Sequence, residues 1–251
     1  MTHTDDKEEM DNWDVSGQTL FAEVGQDPSV LIIAFSGFGQ RFSTVSSFEF
    51  FQATATMEFS RILCRDPRRL WYHAGIDSQH DSLASTAGLL TEYIEALEPE
   101  TILTMGSSMG GYAALVFGCL LKVNHVHAFG PQTCLEPDYV LHERAPRAPE
   151  LVKTGIYKRF WRSPHADPDF YDIADVIRAR PGETRYCIHY CKDHVPDQMS
   201  AEKLQGVNGV NIYPYDCMGH NIGRRMVKDR RLRSVIHPDS QQRIDEILGA
   251  G

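Results

Sequence analysis

A chain of 251 residues, 42% of them hydrophobic, can bury one full core, so its length demands no second domain. Its 34 acidic residues against 25 basic ones give a formal charge of -9, which sets nucleic acid aside as a default partner. No apolar run approaches the length of a membrane span and none follows a basic N-terminus, so a cytoplasmic protein without membrane span or signal peptide is expected.

Met1–Asp14 carries Asp5, Asp6, Glu8, Glu9, Asp11 and Asp14 against one lysine and reads as a solvated, disordered tail. From residue 15 to 251 a single domain is expected. Gln18–Val24 suits an edge strand. Val30–Phe35 is an unbroken β-branched and apolar run, as in a strand covered on both faces, and it ends in Ser36-Gly37-Phe38-Gly39. Ser46–Phe59 reads as a helix, Arg61–Arg65 as a short strand, and Trp71–Gly75 as a strand end or loop. Ser82–Leu97 has apolar residues at helical spacing with acids opposite. Thr101–Met105 is a buried strand and Tyr112–Leu121 is helical in character, followed by a strand at His125–Phe129. Pro131–Glu183 breaks the alternation. Such a long irregular stretch in a compact domain is usually a lid or functional excursion, so a small cap is expected over about 131–183, with helices near Tyr157–Trp161 and Tyr171–Arg178. Strands at Arg185–Tyr190 and Val210–Tyr215 and a helix near Asp239–Leu248 complete the chain. Alternating strands and helices imply an α/β fold, a parallel sheet with helices on both faces.

Cys64, Cys119, Cys134, Cys187, Cys191 and Cys217 lie mostly in apolar or strand-like surroundings without paired spacing and read as reduced core residues. Cys187, Cys191 and His194 suggest zinc only weakly, since a second ligand pair is missing, and no metal or cofactor is expected.

The chemistry concentrates at Gly106-Ser107-Ser108-Met109-Gly110, a G-x-S-x-G match lying between a strand and a helix. Ser108 would stand at the tip of a tight turn whose crowding requires the flanking glycines. At a helix N-terminus its oxygen would also meet a favourable dipole. A serine hydroxyl needs a base, and the base an orienting acid. His220 follows Gly219 just past the last strand-like run. Asp193 stands directly past the penultimate strand and is the favoured acid, with Asp197 its main rival and Asp216 a weaker candidate. The N–H groups of Phe38 and Met109 are the expected oxyanion donors.

These motifs, together with Ser36-Gly37-Phe38, GSSMGGYAAL at 106–115, DHVP at 193–196 and GHN at 219–221, make the chain resemble the serine α/β-hydrolase superfamily. The resemblance runs from about residue 28 onward. It implies a mostly parallel central sheet, a cap inserted before the acid strand, and hydrolysis through an acyl-enzyme. Ser36 stands where the family has a histidine, and no HGGG run is present. A serine at the elbow argues against the haloalkane dehalogenase and epoxide hydrolase chemistries of this fold.

The expected activity is therefore hydrolysis of a small carboxylic ester or thioester by Ser108, Asp193 and His220. Acyl transfer on the same residues, or a binding protein that has lost turnover, are the alternatives. Gly37, Tyr112 and Trp161 are candidate substrate contacts, and Phe160 and Tyr171 are further aromatics of the same region. The basic run Arg224–Arg233 reads first as a solvated helix face.

Overall fold

The computed structural model describes residues 17–38, 48–144 and 155–237; the acidic segment Met1–Asp14 and the helix expected at Asp239–Leu248 lie outside them. Within the described residues, seven strands form one sheet in the order β1-β3-β2-β4-β5-β6-β7. The strands are β1 (Leu20–Glu23), β2 (Asp27–Phe35), β3 (Phe59–Cys64), β4 (Thr101–Ser107), β5 (His125–Phe129), β6 (Arg185–Cys191) and β7 (Val210–Tyr215). Only β1 runs antiparallel, at the edge against β3; the remaining neighbours pair in parallel.

The unbroken apolarity of β2 has a direct cause. Leu31, Ile33 and Phe35 enter one core layer and Val30, Ile32 and Ala34 the other, so every side chain from 30 to 35 is buried. Helices cover both faces. They are α1 (Phe51–Ala55), α2 (Leu83–Leu97), α3 (Met109–Leu120), α4 (Ile156–Arg162), α5 (Ile173–Ala179), α6 (Val195–Glu202), α7 (Ile222–Lys228) and α8 (Leu232–Ile236). Helix α2 starts at a reciprocal Ser82/Ser85 capping box. Helix α3 is apolar nearly all round because it is wholly enclosed: Met109 to Cys119 are all buried.

The helix expected over Ser46–Phe59 is shorter in the structure. Residues 46 and 47 lie outside the described set, Phe50 adopts φ 65°, and the helix covers only Phe51–Ala55. Thr54 and Thr56 bond back to carbonyls at Phe50 and Ala53, and Phe59 is already in register with Asp27 of β2. Sheet pairing overrides the helical spacing here.

Between β5 and β6 the described residues form a π-helical segment at Tyr139–Arg144, helix α4, a 3-10 turn at Pro168–Phe170 and helix α5. Two bonds fasten this excursion to the body of the domain, one to the enclosed helix and one to the turn after β3. Tyr112 Oη donates to Phe170 O at 2.7 Å, and Asp167 N–H donates to His73 Nδ1 at 3.1 Å. His73 thus carries its proton on Nε2, 2.7 Å from the Tyr112 hydroxyl, and burial pushes its pKa down to about 3.

Candidate active site

The elbow forms where β4 turns into α3. Ser108 sits at φ 56°, ψ -116°, a conformation costly for any residue with a side chain, on the order of 1–3 kcal/mol. The flanking glycines are forced by close approach. A Cβ on Gly106 would lie 2.1 Å from Gly110 O, and one on Gly110 would lie 2.1 Å from Phe35 O. Ser108 N–H donates to Phe129 O at 2.9 Å, which fixes the turn to the end of β5. The hydroxyl is half-buried at the start of α3, where the helix's first N–H groups have no intrahelical acceptor.

His220 follows β7, and its Nδ1 lies 2.8 Å from both carboxylate oxygens of Asp197. Asp197, not Asp193, is therefore the acid at the ring. Asp193 stands on the exposed turn past β6, where its Oδ1 accepts from Gly219 N–H at 3.0 Å. Helix α6 then carries the chain a further turn and swings Asp197 inward until it is fully buried. His194 Nδ1 approaches the same carboxylate at 3.1 Å, turned off the line of a hydrogen bond. Burial alone would push Asp197 up, but the two imidazoles facing it outweigh that and hold its pKa below the ordinary carboxylate value.

Gly130 joins the two halves. It adopts φ 53°, and a Cβ there would lie 2.8 Å from Asp197 Oδ2 and 3.3 Å from His220 Nδ1. Ser108 bonds the carbonyl of Phe129, so the serine and the Asp197–His220 pair flank the same Phe129–Gly130 unit. The helix after His220 abuts the elbow as well, since a Cβ on Gly223 would overlap the Ser107 hydroxyl.

The loop after β2 reaches the elbow from the opposite side. Glu49 N–H donates to Ser36 Oγ at 3.0 Å and Gly37 N–H donates to Glu49 Oε2 at 2.8 Å, a reciprocal clamp. Burial pushes the Glu49 carboxyl up, opposed by the Gly37 N–H and by Arg224. The Gly37 amide is thus committed to Glu49. The Phe38 ring packs edge-on against Trp71 at 5.1 Å, and Met109 is the first residue of α3. Gly39 lies outside the described residues.

Two expected substrate contacts are occupied otherwise. Tyr112 is fully buried with its hydroxyl committed to Phe170 O and His73, which makes it a core residue rather than a pocket wall. Trp161 is half-buried and donates to Leu135 O at 2.8 Å.

Gln132 escapes a reading of the sequence. It lies just past β5, 4% exposed, and its Nε2 donates to Ser108 Oγ at 2.8 Å. Its position after the strand beside the elbow strand was the available signal, masked by the irregular composition that begins at Pro131.

Cys191 and Cys217 form a disulfide across 26 residues, contrary to the expectation that all six cysteines are reduced; Cys64, Cys119, Cys134 and Cys187 are buried thiols outside any disulfide. Their spacing gave no sign, because the parallel pairing of β6 with β7 brings Cys191 opposite Tyr215, two residues from Cys217. The bond ties the end of β6, which leads into the helix bearing Asp197, to the loop bearing His220. Cys191 is also removed from the zinc set imagined with Cys187 and His194. The ligand-type atoms that do converge among the described residues, within 4.8 Å, are those of His194, Asp197 and His220. No helix of the described residues is long and apolar enough to cross a membrane.

No protein-family model and no curated protein matches the chain. Solved structures do. The capsule O-acetyltransferase of Neisseria meningitidis serogroup A aligns with TM-score 0.60 and 16% identity, over 86% of this chain and 90% of that one. An α/β hydrolase enzyme from the metagenome of Mar Chica lagoon sediments in Morocco gives 0.55 and 16%, over 90% and 95%. Brefeldin A esterase, a bacterial homologue of human hormone-sensitive lipase, gives 0.54 and 15%, over 91% and 69%. With its seven-stranded, mostly parallel sheet and these neighbours, the chain has the α/β-hydrolase fold.

Proposed function

We propose that the chain is a serine-dependent enzyme that cleaves a carboxylic ester or thioester through an acyl-enzyme, with Ser108 as nucleophile, His220 as base and Asp197 as the orienting acid. The observation that carries this reading is the buried Asp197 carboxylate bonded to His220 Nδ1 at 2.8 Å, set across Phe129–Gly130 from a serine held at positive φ. Asp197 keeps the proton on Nδ1, which leaves Nε2 basic toward the serine. His220 Nε2 takes the Ser108 proton as Oγ bonds to the carbonyl carbon and the π electrons move to oxygen. The amide N–H groups of Met109 and Phe38 receive that oxyanion. Collapse expels the alcohol or thiol, which takes the proton back from His220, and water repeats the sequence.

A second reading replaces water by an acceptor alcohol, so that the acyl group is transferred. The likeness to an O-acetyltransferase favours keeping it. Short-chain p-nitrophenyl esters and acyl thioesters, assayed with and without an added alcohol, test both. Free acid as the sole product supports hydrolysis, and a new ester formed with the alcohol supports transfer. No turnover of any activated ester or thioester would overturn the enzyme reading in favour of a binding role.

A further inference from the structure

We infer that Gln132 is a further catalytic residue, one that aims the Ser108 proton and stabilises the oxygen as that proton leaves; the inference rests on Ser108 acting as the nucleophile. Gln132 is buried, and its carboxamide bridges Trp71 and the Ser108 hydroxyl, the first a group of fixed character. The indole N–H of Trp71, which can only donate, lies 3.3 Å from Gln132 Oε1. That contact sets the amide's orientation, so the group 2.8 Å from Ser108 Oγ is the NH₂, a donor without acceptor capacity.

Two consequences follow for the serine. Oγ has one proton to give and two lone pairs to accept with. Gln132 fills one lone pair and offers no acceptor, because its own oxygen is turned away toward Trp71. The hydroxyl proton therefore has no competing acceptor at this side chain and is left for His220 Nε2. As the proton crosses ahead of full C–O bond formation, Oγ carries partial negative charge and the Gln132 N–H···O bond strengthens. An interaction that tightens along the reaction coordinate lowers the barrier more than it tightens substrate binding.

The surroundings hold this amide in place. Gly130 N–H donates to His189 O at 2.7 Å and Thr133 Oγ1 donates to Ser200 O at 2.6 Å, one on either side of the Pro131–Gln132 step. Pro131 packs on the elbow helix, within 3.1 Å of where Gly111 would carry a Cβ. Trp71 is itself buried among Phe38, Tyr157 and Phe160, with ring centroids 4.9–5.2 Å away. Trp71 is thus a positioning residue that acts through Gln132.

The test is the rate of Ser108 labelling by a fluorophosphonate, together with kcat and KM on an activated ester, for the full chain and for Gln132→Met, Gln132→Glu and Trp71→Phe. Gln132→Met keeps the bulk without the donor and is expected to lower the labelling rate and kcat by about 10- to 100-fold, with KM within about threefold. Gln132→Glu, whose carboxylate accepts where the amide donated, is expected to lose more. Trp71→Phe, which frees the amide to flip, is expected to lose less than either, again in kcat rather than KM. A Gln132→Met protein that folds and labels at the wild-type rate overturns the inference and leaves the serine reading intact. Should that variant not fold, Trp71→Phe decides, and an unchanged kcat there overturns it. Absence of label on wild-type Ser108 would instead remove the reading on which the inference stands.

Discussion

The elbow and the acid–base pair are built in opposite ways. The elbow is five consecutive residues held by close backbone approach: a Cβ on Gly106 would lie 2.1 Å from Gly110 O within the turn, and one on Gly110 would lie 2.1 Å from Phe35 O of the adjacent β2. The Asp197–His220 pair joins residues 23 apart, one in the first turn of α6 and one on the loop after β7, and its geometry depends on the depth of α6, the pairing of β6 with β7 and the Cys191–Cys217 bond. A local device tolerates little substitution within itself. A distributed one fails when any of its distant supports is removed.

The largest effects expected test whether the two halves work as one unit. Ser108→Ala and His220→Ala should each lower kcat on the order of 10⁶-fold, and the double variant should lose little more, since members of one unit are not additive. Steady-state kinetics on an activated ester checks this. Next comes the choice of acid: Asp197→Asn should lower kcat on the order of 10⁴-fold, whereas Asp193→Asn, which removes the charge but keeps an oxygen to accept from Gly219 N–H, should change it less than about tenfold.

Stability effects follow. Opening Cys191–Cys217 by a Cys191→Ser/Cys217→Ser pair should cost about 3 kcal/mol for a loop of this length, read as a fall in the denaturation midpoint, and activity should fall with it. Gly106→Ala should cost roughly 1–3 kcal/mol, confined to the elbow. The smallest effect is a pH dependence. The folded pKa of Asp197 lies below its unfolded value, so its stabilisation is present above the unfolded pKa and is lost as pH falls through the folded one. Melting temperatures taken downward from about pH 5 should therefore show a shallower acid decline in Asp197→Asn than in the wild type.

The same contrast explains what could be read in the sequence. The elbow, the both-face burial of Val30–Phe35, and the β5 and β7 strands follow from local pattern, and the observed spans agree: β5 and β7 are His125–Phe129 and Val210–Tyr215. The helix expected over Ser46–Phe59 was cut short by pairing of Phe59 with β2, a contact no local pattern records. Asp193 looked right by proximity to the strand end. One helical turn later Asp197 is carried inward, and that depth is tertiary. The disulfide and the Gln132 contact are likewise products of neighbouring strand ends, with partners 26 and 24 residues apart in the chain.

The most direct measurement is peptide mapping after fluorophosphonate treatment of the wild type, Asp193→Asn and Asp197→Asn. A single adduct on Ser108, retained in Asp193→Asn and nearly abolished in Asp197→Asn, is the expected result. An unmodified Ser108 in the wild type, or labelling that survives Asp197→Asn but not Asp193→Asn, would contradict the assignment of Ser108, His220 and Asp197.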